Sequence, residues 1–132
     1  MLLTNQTGNN LPSVYLALAS AARTATTDTG LLRTSARGVR VIFNITAVPT
    51  VETVTPHIRG YDPYSAKYYT LASGAATDAA TSGAPIVLTL YPGIAEVANI
   101  AVSDGLPGIF DVQIEHSASG SFTYTVVVAM LL

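Results

Sequence analysis

The chain of 132 residues contains no cysteine, which excludes both a disulfide framework and a metal site built on thiolates. Charge is also scarce, because charged residues make up 11% of the sequence and about 25% is average for a globular domain. Threonine, serine, alanine, asparagine and glycine stand in their place. Two interpretations follow: a small β-protein with a threonine-rich exterior, or a protein whose surface is covered by neighbours.

A net positive charge and long apolar segments are equally absent. The net charge is −2, whereas nucleic-acid binding usually needs a basic patch, so we expect no nucleic-acid partner. The longest strongly apolar run, residues 126–132, falls far short of the roughly 20 residues of a membrane span. The first five residues lack the basic and apolar regions of a signal peptide. We therefore expect no membrane partner and synthesis in a cytoplasm.

No catalytic motif is present. The sequence has no G-x-S-x-G elbow, phosphate-binding loop, dinucleotide-binding glycine motif, H-E-x-x-H pair or calcium loop. Its two histidines, His57 and His116, each lie in a strand-like pattern. They could bind a metal only by meeting across two sheets, and no third ligand has a useful spacing. We expect no enzymatic activity, no cofactor and no metal.

The remaining pattern is that of an all-β protein. Apolar and polar residues alternate along residues 38–48 and 109–116, as in strands with one buried face. Residues 53–71 predict a β-hairpin, in which Pro56 indicates an edge strand or a bulge. Residues 117–120 predict a hairpin loop leading into the last strand.

Turn signals every 8–15 residues separate these segments. The spacing predicts an antiparallel β-sandwich, or jelly-roll-like domain, of about seven to nine short strands. We assign residues 1–12 to an N-terminal arm or loop and residues 13–132 to a single β-sandwich domain.

Tyrosines cluster around the turn at residues 61–66. Because tyrosine supplies rigid contact area and a hydroxyl, it is enriched at interfaces. The cluster either packs its own turn or forms a patch that contacts sugar or protein. The candidate contact residues are Tyr61, Tyr64 and Tyr68.

The C-terminal strand departs from the alternating pattern. Alternation holds as far as Thr125, but from Val126 onward both faces are apolar. A strand that is apolar on both faces is expected to be buried on both, either under a loop of the same chain or under another subunit, which we prefer. Deleting residues 129–132 is then expected to weaken assembly more than it destabilises the fold. The apolar candidates for this interface are Met1, Leu2, Leu3, Val126, Val128, Met130, Leu131 and Leu132.

Several strand-and-turn segments resemble a family of small virion proteins of tailed phages. The resemblance rests on residues 37–46, 58–63 with 67–69, and 90–93, and is supported by residues 101–107 and 116–124. It implies a structural role in the virus particle without catalytic residues, and capsid decoration (cement) proteins are the most similar class.

This resemblance implies a location on the capsid surface of the virion, after synthesis in the host cytoplasm. It also implies the major capsid protein as a partner and assembly of the chain into a homo-oligomer, either a trimer or a dimer. A carbohydrate- or receptor-binding module and a tail or connector subunit remain the alternatives.

Overall fold

The computed structural model describes residues 11–49, 51–81 and 83–132, and within these ranges the secondary structure is entirely β. No helix long and apolar enough to cross a membrane occurs there. The strands of the described ranges are β1 (Val14–Arg23), β2 (Thr27–Asp28), β3 (Leu32–Arg33), β4 (Gly38–Ala47), β5 (Val54–Asp62), β6 (Lys67–Ser73), β7 (Ile86–Leu90), β8 (Ala101–Val102), β9 (Ile109–His116) and β10 (Phe122–Leu131).

The strands form two sheets. Sheet A has the order β1-β10-β4-β7-β8, and sheet B the order β2-β9-β5-β6, with β3 also paired to β9. The pairs β1–β10, β2–β9, β4–β7 and β5–β6 follow a nested, jelly-roll-like order, whereas β3 pairs with β9 and β8 runs parallel to β7. The predicted β-sandwich is confirmed. The strand count exceeds the predicted seven to nine because it includes β2, β3 and β8, which contain only two residues each.

The core lies between the sheets and follows the alternation in the sequence. Val39, Val41, Phe43 and Ile45 of β4 are buried and face the similarly buried Phe110, Val112 and Ile114 of β9. The ring of Phe43 packs edge-on against that of Tyr124 in β10, with centroids 5.2 Å apart. Each large apolar side chain buried in this way contributes about 1.5–3 kcal/mol.

Pro56 does not lie on an edge strand, one of the two positions that the sequence predicted for it, and the register shift of its hairpin falls between Ile58 and Arg59. β5 is an inner strand, paired on one side with β9 and on the other with β6. The Pro56 carbonyl accepts from the Gly74 N–H, just beyond the end of β6. Because the nitrogen and carbonyl of one residue point to the same side of a strand, the Pro56 nitrogen faces away from β9. Proline therefore removes no hydrogen bond from the β5–β9 pairing.

Residues 117–120 do not close a hairpin. They lead from β9 in sheet B to β10 in sheet A, so the chain turns the corner of the sandwich here. Inside the corner, the His116 ring packs edge-on against Phe122 with centroids 5.5 Å apart. Local sequence suits either a hairpin or a corner, and the core contacts decide between them.

The core of the sandwich extends to Leu11, the first of the described residues. Leu11, which the sequence assigned to the arm, is buried in the core, and its N–H donates to the Arg33 carbonyl at 3.0 Å. Met1, Leu2 and Leu3 lie outside the described residues.

Candidate functional site

The outer face of sheet A carries an apolar row. Strand register places Leu16 of β1 beside Val127 of β10, and Val127 beside Ile42 of β4. Ile42 in turn lies beside Val87 of β7. Paired residues point to the same side of a sheet, and the sequence neighbours of Val127 and Ile42 face the core. These four side chains, the apolar row, therefore cross four strands, or about 14 Å at the usual strand spacing.

More apolar surface flanks the row. Val14 pairs with Ala129 on the same face, and these two extend the apolar surface by one further outward-facing residue on β1 and on β10. Val14 is 61% and Leu16 is 54% exposed, while Val127, Ile42 and Val87 are partly exposed. A contiguous exposed apolar surface of this kind is typical of an interaction site.

Charge is nearly absent from this face. Among the described strand residues that share it, Arg40 is the one charged side chain, and its Nε donates to Thr89 Oγ1 at 3.3 Å. The Arg40 side chain thus lies across the sheet beside the apolar row. Removing this face from water would desolvate few charges.

The outer face of sheet B is polar. Arg59 of β5 donates from Nε and Nη2 to the two carboxylate oxygens of Asp111 in β9, at 2.9 and 2.6 Å. His57 Nε2 donates to Glu115 at 2.8 Å, and His57 Nδ1 is 2.7 Å from the Ser73 hydroxyl. These paired groups form cross-strand links that hold β9, β5 and β6 in register.

Asp111 is fully buried on this polar face. Burial raises the pKa of its carboxyl above the ordinary value of 3.8, and the hydrogen bonds from Arg59 oppose that shift. The hydrogen bond to Asp111 raises the pKa of Arg59. The Tyr68 ring stacks on the guanidinium, whose central carbon lies 4.0 Å from the ring centroid, so the pair is enclosed on that side.

The predicted tyrosines lie in two different environments. Tyr61 and Tyr68 contact each other beside Arg59, with ring centroids 4.9 Å apart. Tyr64 is 100% exposed at the turn between β5 and β6. The Asp62 carboxylate accepts from the Tyr64 N–H and the Ser65 hydroxyl, and these hydrogen bonds lower the pKa of Asp62. The turn is therefore held in place while it presents Tyr64 to solvent.

Three of the predicted interface residues are not on the surface. Val126 and Val128 are fully buried, and Met130 is nearly so, because β10 is an inner strand whose even-numbered residues face the chain's own core. Leu131 points to the outer face of sheet A, and Leu132 is 87% exposed. The apolar tail thus divides between the core and the outer face of sheet A.

The two histidines do not converge. His57 is on the outer face of sheet B, whereas His116 faces the core, where its Nε2 is 2.9 Å from Tyr124 Oη. Burial, with a smaller effect of the Arg23 cation, lowers the pKa of His116 from its ordinary value of 6.5. Within the described part of the chain, no three histidine or carboxylate groups are placed to hold a metal ion.

Sequence reasoning missed most of the apolar row. Ile42 interrupts the polar side of the β4 pattern, and Val127 belongs to the doubly apolar tail, so both left a local signal. Leu16 and Val87 left none, because their membership depends on which strands pair.

Comparison of the chain with protein-family models, with curated proteins and with solved structures finds no match in any of the three. What the chain does must therefore be inferred from its own residues, above all from the contrast between the apolar outer face of sheet A and the polar outer face of sheet B.

Proposed function

We propose that this chain is a non-enzymatic structural subunit of a virus particle, which decorates and stabilises a phage capsid by placing the outer face of sheet A against other subunits. The apolar row of Leu16, Ile42, Val87 and Val127 is the observation that carries the proposal. Its partners are the major capsid protein and further copies of the chain.

Two further features support this role. The charged fraction of 11% suits a protein whose exterior is largely covered, because free surfaces rely on charge for solubility. The resemblance to small virion proteins supplies the virus particle as the setting. The jelly roll agrees with it by analogy alone, since this fold occurs in viral capsid proteins and also in lectins and cupins.

Substitution of Val127 by lysine tests the proposal. Particles of the virus that encodes the chain should contain it in a fixed ratio to the major capsid protein, as measured by quantitative mass spectrometry. Particles from a deletion strain should rebind the purified wild-type chain in co-sedimentation. Val127→Lys should bind at least about tenfold more weakly, because it would bury an unpaired charge at the centre of the contact.

Gln113→Lys is the matched control, because it places the same side chain on the outer face of sheet B. It should bind as the wild type does, and both variants should keep the wild-type unfolding midpoint because both positions face outward. Wild-type binding by Val127→Lys, or particles that lack the chain, would overturn the proposal.

Binding of a carbohydrate or receptor by the exposed tyrosines is the second candidate function. It is favoured by the full exposure of Tyr64 on a turn held by Asp62 and by the Tyr61–Tyr68 pair beside Arg59. Aromatic rings with adjacent fixed polar groups suit a ligand that has both an apolar face and hydroxyls.

A glycan array distinguishes this second function from the first. If the tyrosines bind sugar, the wild-type chain should give a signal that Tyr64→Ala and Tyr68→Ala reduce at least about tenfold, as expected for loss of an aromatic contact. Val127→Lys should leave that signal unchanged. An array without signal, together with unchanged host attachment by both tyrosine variants, would exclude it.

A further inference from the structure

β1 is the least protected sheet edge in the described part of the chain. It is ten residues long, whereas β8, β2 and β3 at other edges have two residues each. β6, the remaining edge strand, begins with Lys67 and has an irregular register against β5. Lysine and irregular register are among the features by which proteins prevent pairing at an edge, and the start of β1 has neither of them.

The first part of β1 pairs regularly and leaves some backbone groups without a partner among the described residues. Met130 N–H donates to the Ser13 carbonyl at 2.8 Å, and the register then runs without a shift through Val14, Tyr15 and Leu16. In antiparallel pairing, alternate residues direct their N–H and C=O groups to the same neighbour. The backbone groups of Ser13 and Tyr15 therefore point to β10, while the N–H and C=O groups of Val14 and Leu16 point to the open edge.

The second part of β1 is closed to pairing. Register shifts occur between Leu16 and Leu18 and between Leu18 and Ala21. The Arg23 guanidinium donates to the carbonyls of Ala19 and Ala21 and to that of Tyr124. The available edge is thus confined to the segment that starts at Val14 and ends at the first shift.

We infer that this edge pairs with β1 of a second copy of the chain, antiparallel and about a two-fold axis. Two-fold pairing places β1 residues opposite β1 residues, so a charged edge would repel itself. Residues 14–22 contain no charged side chain and no proline, and the exposed Val14 and Leu16 side chains would meet apolar partners. Two-fold dimers are also the commonest homo-oligomers.

This pairing would join two copies of sheet A into one ten-stranded sheet. Val14 and Leu16 belong both to the edge and to the outer apolar face, so the two apolar faces would become continuous across the two-fold axis. The inference deepens the proposed function, because it names how copies associate before they cover a larger assembly. It concerns the isolated chain and can fail while capsid binding holds.

The solution mass and amide exchange of the full chain test the inference. Analytical ultracentrifugation should give twice the chain mass of 13.7 kDa at high concentration. The amide hydrogens of Val14 and Leu16 should exchange slowly in the dimer and at least about tenfold faster after dilution to monomer. The Tyr15 amide faces β10 within one chain and should remain slow at both concentrations.

Leu16→Pro removes one N–H from the open edge and should raise the dimer dissociation constant at least about tenfold, since proline is tolerated where the N–H faces outward. Leu16→Thr keeps that N–H and should still dimerise, as should Val127→Lys, whose edge is intact. A full chain that is monomeric at every concentration would overturn the inference, including the case where its own first ten residues occupy the edge. A dimer in which Val14 and Leu16 amides exchange rapidly would do so too, because it would be held by another surface.

Discussion

Replacement of Arg59 by leucine should lower the free energy of unfolding by about 3–5 kcal/mol, the usual cost of leaving a buried charge without its partner. Asp111 is fully buried, and both of its carboxylate oxygens accept from Arg59. The loss is large against a total stability of about 5–15 kcal/mol. Urea unfolding at neutral pH should show the midpoint falling accordingly.

The double variant Arg59→Leu, Asp111→Leu is the matched control. It removes both charges together, so no unpaired group remains, and replacing a whole buried pair by apolar side chains is often neutral or stabilising. We expect it to recover most of the stability that the single variant loses. If the double variant is as unstable as the single one, the loss comes from packing against Tyr68 and not from the uncompensated carboxylate.

The stability of the single variant Arg59→Leu should depend on pH in a defined direction. Burial raises the folded-state pKa of Asp111 above its ordinary value of 3.8. Protonation of this carboxyl therefore favours the folded state. That contribution to stability is fully present below pH 3.8 and is lost as pH rises through the folded-state pKa. Without Arg59 that pKa should rise further. The stability deficit of Arg59→Leu relative to the wild type should therefore shrink on mild acidification, and an equal deficit at both pH values would contradict this account.

Local pattern was sufficient for the strands that bury one face and expose a polar one. β4 and β9 alternate in sequence, apart from Ile42 on the outer side of β4, and both bury the side that the pattern indicated, although Asp111 on the polar side of β9 is buried as well. The β5–β6 hairpin was likewise predictable, because its turn signal lies between two short strands. In these elements the information is contained within one continuous segment of the sequence.

The position of a strand within a sheet was not predictable in the same way. Pro56 indicated an edge strand or a bulge, yet β5 is an inner strand, which tolerates the proline because its nitrogen points past the end of β6. The apolar row was hidden for a related reason. Its members Leu16, Ile42, Val87 and Val127 come from four distant segments, and only strand pairing brings them together.

Deletion of residues 129–132 should abolish folding of the isolated chain, although the sequence pattern indicated a greater cost to assembly. β10 lies between β1 and β4, and Ala129 pairs with Val14 on one side and Arg40 on the other. Met130 is buried in the core. Loss of a buried side chain of this size costs about 2–5 kcal/mol, which is already a large part of the stability of a small domain.

The deletion would also remove three hydrogen bonds that close this end of the sandwich. Met130 N–H donates to Ser13, the Leu131 carbonyl accepts from the Arg37 N–H, and the Leu132 carbonyl accepts from Tyr91 Oη at 3.0 Å. Each contributes about 0.5–1.5 kcal/mol. The truncated chain should therefore lack the far-ultraviolet circular dichroism of a β-sheet and a cooperative urea transition.

Leu131→Ser is the matched control for this deletion. Leu131 lies on the outer face of sheet A, so its substitution retains the backbone hydrogen bonds and the buried Met130 and should leave cooperative unfolding intact. A truncated chain that unfolds cooperatively near the wild-type midpoint would show that the fold does not need the part of β10 from Ala129 onward. The inner face of the last four residues would then contribute little to the core, and their apolar character would belong to assembly alone.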